Sequence, residues 1–201
     1  MIAKPRVLGA VIGAVVALGL AAGASAGPLD HPGATKALTC TACHGAAGNS
    51  ASSSMPIIAG IDPAYFKKQM DNYATGKRPS PEMEPYAKHV RELGVDDIAA
   101  YFASQTRQPT PVKSDPAAVA RGRAASPVCA ACHGETGRGN PAAGIPSLAG
   151  QAPGFLAEQM ALFKQDRRNP GDPTLTAAKA VMKTIPDPAF ADLAAYYSSL
   201  R

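Results

Sequence analysis

Apolar side chains recur at helical spacing along most of the chain. One such stretch opens at Asp62-Pro63, a pair typical of a helix start. Within it, Phe66, Met70 and Tyr73 fall on one face. The same reasoning predicts further helices at residues 33–43, 95–105, 116–132, 154–166 and 187–200. No stretch alternates apolar and polar residues as a half-buried strand does, so the pattern predicts an all-α fold.

The helical pattern occurs twice. An offset of 90 residues aligns Gln69 with Gln159 and Arg78 with Arg168. Near the end of each copy an Ala-Ala-Tyr sequence recurs at an offset of 95, so the second copy carries about five extra residues before its last helix. Self-similarity of this kind indicates two tandem copies of one domain.

The repeat suggests a division of the chain into four segments. We expect the two domains at residues 27–106 and 115–201. Residues 107–114 between them are polar and contain two prolines, which is typical of a linker. Residues 1–26 precede the first domain and are predicted to be a signal peptide.

The predicted signal peptide has the three parts of an export signal. A positive start at Lys4 and Arg6 precedes an apolar run at residues 7–22, and Ala24-Ser25-Ala26 supplies a small-x-small cleavage site. An uncleaved membrane anchor is the alternative, because this segment is almost long enough to span a bilayer. Cleavage would place the mature protein, in a bacterium, in the periplasm.

The charge of the chain is mild. There are 20 Lys and Arg against 15 Asp and Glu, a net charge of +5, and loss of the first 26 residues would bring the mature chain near +3. Because these charges form no basic stripe, we expect no nucleic-acid partner, and contact with a membrane surface only through partner complexes.

Glycine and proline number 19 each and tryptophan is absent. Each half therefore has few large core side chains, and a cofactor often completes a core this small.

All four cysteines lie in two copies of the motif Cys-x-x-Cys-His. The copies comprise Cys40, Cys43 and His44, and Cys129, Cys132 and His133. This motif is the attachment signature of c-type haem. Two thiols on one helical turn can add to the two vinyl groups of a porphyrin, and the next residue places an imidazole under the iron. The sequence therefore predicts two covalently bound haem c groups.

Other uses of paired cysteines fit the sequence less well. The pairs of a zinc ribbon usually lie about 15 to 20 residues apart, whereas 85 residues separate Cys43 from Cys129. A thioredoxin-like redox pair needs a β-α-β context. Structural disulfides would leave unexplained the His-Gly that follows both pairs.

The histidines that follow the cysteines are the predicted proximal iron ligands, and the sixth ligand then separates electron transfer from ligand binding. For the first haem we predict Met83, in a proline-rich loop that could cross the open face of the haem. Met70 is better interpreted as a core residue, Met55 lies too close to the motif, and His89 has no counterpart in the second copy.

The second copy departs from this arrangement. The position equivalent to Met83, counted back from the last helix, is Ala178, which cannot bind iron. Met182 lies nearby, and a longer loop at residues 169–176 could reposition it, so Met182 is the predicted sixth ligand. Lys179, Lys183 or an open iron site are the alternatives.

With these motifs in view, the chain resembles the class I cytochromes c, and specifically the di-haem cytochrome c4 family. The markers are Cys-x-x-Cys-His-Gly, Pro-x-x-Ala-Gly at Pro56 and Pro146, a helix with Gln69 or Gln159, a methionine loop, and Ala-Ala-Tyr in the last helix. The resemblance covers essentially the whole mature chain. It implies two cytochrome domains about a pseudo-twofold axis and electron transfer to terminal oxidases or reductases. Two departures are the displaced methionine and Ile61, which stands where the second copy has Gln151.

Three functions follow from this interpretation. The first is a soluble electron carrier without turnover of its own, whose redox partners are oxidases, reductases or dehydrogenases. The second is a tightly bound cytochrome subunit of a periplasmic dehydrogenase, such as flavocytochrome c sulfide dehydrogenase, whose cytochrome subunit is similar. The third is a di-haem peroxidase, which the short chain and the scarcity of histidine disfavour.

Arg78, Arg167 and Arg168 are either partners of haem propionates or exposed loop charges.

Overall fold

The computed structural model of the protein describes Met1 and residues 30–201, so the predicted signal peptide lies, apart from Met1, outside the described residues. Within this part the α-helices are α1 Ala34–His44, α2 Pro63–Ala74, α3 Met83–Leu93, α4 Val95–Ser104, α5 Pro116–Ala125, α6 Pro127–His133, α7 Pro153–Lys164, α8 Thr176–Thr184 and α9 Asp187–Ser199. The described residues contain no strand, only an isolated bridge between Asn140 and Ile145, and none of their helices is long and apolar enough to cross a membrane. The predicted all-α fold is confirmed.

The helices enclose two separate apolar cores. The first core is formed by α1 to α4 and includes Ala34, Phe66, Met70, Ile98 and Phe102. The second is formed by α6 to α9 and includes Cys129, Leu156, Phe190, Leu193 and Tyr197. Each core therefore contains the helix of one cysteine motif. The exact domain boundaries stay a prediction.

Two helix starts follow from the Asp-Pro pairs in the sequence. The Asp62 carboxylate accepts a hydrogen bond of 2.7 Å from the Tyr65 N–H at the start of α2. At the start of α5, the Asp115 carboxylate accepts bonds from two backbone N–H groups. In both helices proline occupies the first turn, where no intrahelical partner for its nitrogen is needed.

One glycine in each half allows two helices to cross closely. A Cβ atom on Gly33, at the start of α1, would lie 2.0 Å from the carbonyl oxygen of Asp97 in α4. A Cβ atom on Gly122, in α5, would lie 1.9 Å from the carbonyl oxygen of Asp192 in α9. Any side chain at these positions would push the helices apart.

The predicted single helix at residues 116–132 is two helices. The chain breaks between α5 and α6 at Ser126, directly before Pro127. Proline has no N–H to continue the ladder, and its ring clashes with the carbonyl four residues earlier. The Ser126 hydroxyl instead donates to the Arg123 carbonyl at 2.9 Å.

Two helices lie where the sequence predicted none. Met83 is the first residue of α3 rather than part of an extended loop, and the Ser80 hydroxyl accepts a bond of 3.2 Å from its N–H. Met182 lies in α8, which begins where the predicted loop at residues 169–176 ends. Pro85 lies in the first turn of α3, where proline is compatible with a helix. The local proline content is therefore not evidence against this helix.

The two halves contact each other through backbone groups as well as side chains. The Asn169 N–H donates to the Lys77 carbonyl at 2.6 Å, and the Phe155 N–H donates to the Ser53 carbonyl at 3.1 Å. The predicted linker packs against the second half instead of extending into solvent. Its Thr110 is buried, and the Thr110 N–H donates to the Gly150 carbonyl at 2.8 Å.

Candidate haem sites

Both cysteine motifs form the C-terminal turns of a helix. The first motif ends α1 at His44, and the second ends α6 at His133. A glycine with positive φ follows each histidine and turns the chain away from the helix. Each helix therefore carries two thiols one turn apart and presents an imidazole at its end.

The four thiols are not joined to one another. Cys40 is half-buried and Cys129 is buried, whereas Cys43 and Cys132 are exposed. Burial raises the pKa of the Cys40 thiol to about 11 and raises that of Cys129 as well. Cys40 packs against the first core and Cys129 lies in the second, and the described residues contain no group of three or more His, Cys, Asp or Glu side chains that could hold a metal ion. The pairs therefore do not combine into a four-cysteine zinc site.

The two histidines have matching hydrogen bonds. The Nδ1 atom of His44 lies 2.8 Å from the Pro56 carbonyl oxygen, and that of His133 lies 2.9 Å from the Pro146 carbonyl oxygen. A carbonyl oxygen only accepts, so each Nδ1 carries the proton and each Nε2 keeps a free lone pair. Burial lowers the pKa of both imidazoles, which favours the neutral form. A neutral imidazole anchored at Nδ1 is the arrangement that metal-binding histidines use.

Met83 borders the first core, where Cys40 also packs. Its side chain is partly buried at the start of α3. The competing methionine Met70 is 6% exposed and belongs to the core itself, in agreement with its interpretation as a packing residue. His89 lies exposed on α3. Met83 therefore remains the predicted sixth ligand of the first haem.

Met182 borders the second core, which contains Cys129. Of the alternative ligands, Lys179 is occupied elsewhere: its ammonium lies 2.6 Å from a carboxylate oxygen of Asp166 and donates to the Asn169 carbonyl. Lys183 is exposed. These contacts favour Met182 over Lys179, and the assignment stays a prediction.

Two buried arginines from opposite halves meet in one polar network. The Nε and Nη2 atoms of Arg78 donate to the Gln159 side chain at 3.1 and 2.8 Å, and its Nη1 atom donates to Gln69 at 2.8 Å. Arg168 donates to Gln159 at 2.8 Å and to the Tyr65 hydroxyl at 2.9 Å. Arg78 is 3% exposed and Arg168 is 7% exposed. The interpretation of these two residues as exposed loop charges is therefore wrong, whereas Arg167 is indeed exposed.

This network, the arginine cluster (Tyr65, Gln69, Arg78, Gln159 and Arg168), concentrates positive charge. The hydrogen-bond partners of its two guanidinium groups among the described residues are neutral. Burial and the neighbouring arginine lower the pKa of Arg168, and its buried Nε has no hydrogen-bond partner in the part of the chain that the structure describes. A buried charge is stable only when paired, so the cluster is suited to an anion.

Sequence reasoning did not identify the cluster as a unit. Gln69 aligns with Gln159 and Arg78 with Arg168 at the same offset of 90. A glutamine and an arginine that recur together nine residues apart were the available signal. What the sequence did not reveal is that the two pairs bond to each other across the halves. Tyr65 has no such signal.

The residues at both motifs fit a covalently bound haem. In each half one thiol and one thioether pack in or against the core, the second thiol lies exposed one helical turn away, and a neutral imidazole keeps a free Nε2. The arginine cluster offers two buried cations and an unpaired N–H to the propionates. Histidine and methionine are the axial ligands of haem iron in cytochromes c.

Comparison with known proteins gives the same assignment. The model of the cytochrome c family matches residues 119–201. Cytochrome c4 of Pseudomonas aeruginosa is 38% identical over 166 residues, covering 76% of this chain and 82% of its own. A thiosulfate dehydrogenase electron acceptor of Stutzerimonas stutzeri is 35% identical over 149 residues, which is 66% of each chain.

A solved structure also agrees in fold. The crystal structure of reduced recombinant cytochrome c4 from Pseudomonas stutzeri superposes with a TM-score of 0.75 at 29% identity, covering 83% of this chain and 96% of that chain. The likeness thus extends over both halves. The chain therefore belongs to the cytochrome c4 family of electron-carrying c-type cytochromes with covalently bound haem c.

Proposed function

We propose that this protein is a periplasmic di-haem electron carrier with one haem c in each half. The observation that carries the proposal is the matched pair of histidines. In each half the imidazole that follows Cys-x-x-Cys is held by a proline carbonyl through Nδ1, at 2.8 Å for His44 and 2.9 Å for His133. Because the arrangement occurs twice, it supports two haems rather than one.

Each half contributes the same set of groups. Cys40 and Cys43, and likewise Cys129 and Cys132, form the thioether bonds. His44 and Met83 bind the first iron, and His133 and Met182 bind the second. The haem iron supplies a one-electron couple when it is bound. The protein sets its potential through the axial ligands and burial, and methionine raises that potential.

The arginine cluster is proposed to hold propionate groups. Among the described residues, Arg78 and Arg168 are buried without carboxylate partners, and Arg168 Nε has no hydrogen-bond partner. Propionate is the anion that a haem protein has available for such a site. Charge-assisted, bidentate pairing with a carboxylate suits a guanidinium group. Since the cluster joins both halves, it would connect the two haem sites electrostatically.

The physiological partners are proposed to be other redox proteins, namely an oxidase, a reductase or a dehydrogenase. Contacts between such carriers and their partners are small and transient. A second candidate function is service to one dehydrogenase as its bound cytochrome subunit or dedicated acceptor. The observation that favours it is the relative named as a thiosulfate dehydrogenase electron acceptor. Flavocytochrome c sulfide dehydrogenase is another periplasmic dehydrogenase that such a cytochrome subunit could serve.

Two measurements separate these functions. A carrier with two six-coordinate irons binds carbon monoxide slowly and shows no turnover of its own, whereas rapid binding by one haem would contradict the proposed ligands and favour a haem enzyme. Purification of the native protein without detergent or crosslinker then distinguishes the carrier from the subunit. A free carrier elutes alone, and a subunit elutes with a catalytic protein.

A further inference from the structure

One side chain of the second half reaches the peptide that anchors the first proximal histidine. The Pro56 carbonyl accepts the His44 Nδ1–H bond at 2.8 Å. The N–H of the same peptide group belongs to Ile57, and it donates to Oε1 of Gln151 at 2.7 Å. A continuous chain of two hydrogen bonds therefore joins Gln151 to His44 through one peptide group.

The geometry of Gln151 is well determined by its partners. Its Oε1 accepts from the N–H groups of Ile57 and Ala152, and its Nε2 donates to the Ile57 carbonyl at 2.9 Å. These partners settle which end of the amide is oxygen. Gln151 is 6% exposed and Ile57 is 2% exposed, so water does not compete at this contact. The Gln151 side chain of the second half therefore forms hydrogen bonds with both the N–H and the carbonyl of Ile57 in the first half.

The second histidine does not have the same support from the first half. His133 is anchored to the Pro146 carbonyl in the same way. The position of the first half that aligns with Gln151 is Ile61, whose side chain has no hydrogen-bonding group. The two otherwise matched histidine anchors therefore differ in this one contact.

Hydrogen bonds in a chain polarise each other. When the N–H of a peptide group donates to an acceptor, its carbonyl becomes a stronger acceptor. A stronger bond at Nδ1 makes the imidazole a more electron-rich ligand. An electron-rich ligand favours ferric iron, so the potential of the haem falls. Axial-ligand hydrogen bonding is one of the means by which proteins adjust haem potentials.

We propose that Gln151 is a positioning residue for the first haem, which lowers that haem's reduction potential through the Pro56–Ile57 peptide. The inference rests on the proposed ligation of the first iron by His44. It gives the second half a direct influence on the redox chemistry of the first. It also predicts that the two haems respond differently to a change at this residue.

The test is Gln151→Met in the haem-loaded protein. Methionine has a similar length but neither the amide acceptor nor the donor. Both potentials are measured in one redox titration, with NMR of the haem methyl groups assigning each potential to its half. We expect a rise in the first potential, seen as an increase of about two- to fivefold in the ratio of reduced to oxidised first haem at a fixed potential. The second haem serves as the internal control and should not shift.

Two further variants separate polarisation from general loosening. Gln151→Glu keeps an oxygen that accepts from the Ile57 N–H, so the first potential should stay at or below the wild-type value. Asn49→Ala removes neutral hydrogen bonds to the backbone of Thr106 and Gln108 without removing a hydrogen bond of the Pro56–Ile57 peptide. It should leave both potentials unchanged. If Gln151→Met does not fold, a first potential above wild type in Gln151→Glu would still overturn the inference.

Failure of the inference is distinguishable from failure of the proposed function. Mass spectrometry of the intact chain counts the haems in each variant. One result is that Gln151→Met carries two haems and its first potential is unchanged, or both potentials shift equally. This result would overturn only the proposed role of Gln151 and leave the proposed function intact. A wild-type chain whose first motif carries no haem would overturn both.

Discussion

Met182 is the proposed sixth ligand of the second haem. Its position differs from that of Met83, because the equivalent residue is Ala178. In the structure Met182 borders the second core, while the competing Lys179 is engaged with Asp166. Under the proposed ligation, the thioether of Met182 in α8 closes the sixth position of the second iron.

Replacement of Met182 tests this assignment. We expect Met182→Ala to remove half of the weak long-wavelength methionine–iron absorption of the oxidised protein and to lower the potential of the second haem, because methionine stabilises reduced iron. Met160→Leu is the matched control, since Met160 packs against the same core without a proposed bond to iron. A full band in Met182→Ala would exclude this residue as a ligand.

Lys179 is expected to have a structural role only. Lys179→Met should leave the spectrum of the second haem unchanged and lower the free energy of unfolding by about 1 kcal/mol, through loss of the buried hydrogen bond to the Asn169 carbonyl. Lys183→Met, at an exposed position of the same helix, should change neither quantity. Chemical denaturation and absorption spectra provide both readouts. A spectral change in Lys179→Met would identify Lys179 as the ligand instead.

At this scale the sequence was informative where chemistry demands a fixed spacing. The cysteines and His44 and His133 could be named as candidates because thioether attachment requires that motif. The proline carbonyls that orient the imidazoles lie 12 and 13 residues away, and backbone groups carry no sequence signal. Gln151 was noticed only as a departure from the repeat. Its contact with Ile57 depends on how the halves meet.

Helix crossings are the feature of single elements on which the fold depends most. In the second half α5 crosses α9 at Gly122, where an added Cβ would meet the Asp192 carbonyl at 1.9 Å. This contact cannot be relieved by rotation of a flexible side chain, because the neighbouring atom is backbone. The crossing therefore requires glycine.

Gly122→Ala is expected to destabilise the second half. Separating α5 from α9 should lower the free energy of unfolding by about 2 kcal/mol, in the range typical of overpacked sites, even though alanine is the better helix former. Ala120→Ser, at an exposed position of the same helix, is the control and should change stability by less than about 0.5 kcal/mol. Thermal or denaturant unfolding measures both. Equal stability of Gly122→Ala and wild type would show that the crossing can relax.

Helix prediction succeeded where the start signals were unambiguous. The Asp-Pro pairs at residues 62–63 and 115–116 begin α2 and α5 as expected. It was wrong at Pro127, which breaks a helix, and it missed α3 and α8. The first turn of α3 contains a proline, so local composition favoured a loop. Packing of Met83 and Val90 on the first core outweighs that local signal.

At the scale of the whole molecule, the arginine cluster brings a positively charged side chain from each half into one buried network. Arg78 comes from the first half and Arg168 from the second, and both donate to Gln159. Two buried cations this close repel each other unless an anion compensates them. The proposed anion is haem propionate, which would make the halves depend on the cofactor for their association.

Removal of one buried charge should therefore change the haem potentials. Arg168→Met takes away a cation that disfavours ferric iron, so we expect the mean potential to fall by about 50 mV, on the order of 1 kcal/mol for a one-electron couple. Arg167→Met is the matched control, because Arg167 is exposed and its charge is screened by solvent. Potentiometric titration of both variants gives the comparison. Equal shifts in the two variants would place the propionates elsewhere.

The central claim is that each half holds one haem c bound by its own histidine and methionine. It is tested most directly on the wild-type protein, by combining the intact mass with the long-wavelength absorption of the oxidised form. We predict a mass that corresponds to two haems per chain and a methionine–iron band of two equivalents. One haem per chain, or two haems with a band of only one equivalent, would contradict the claim.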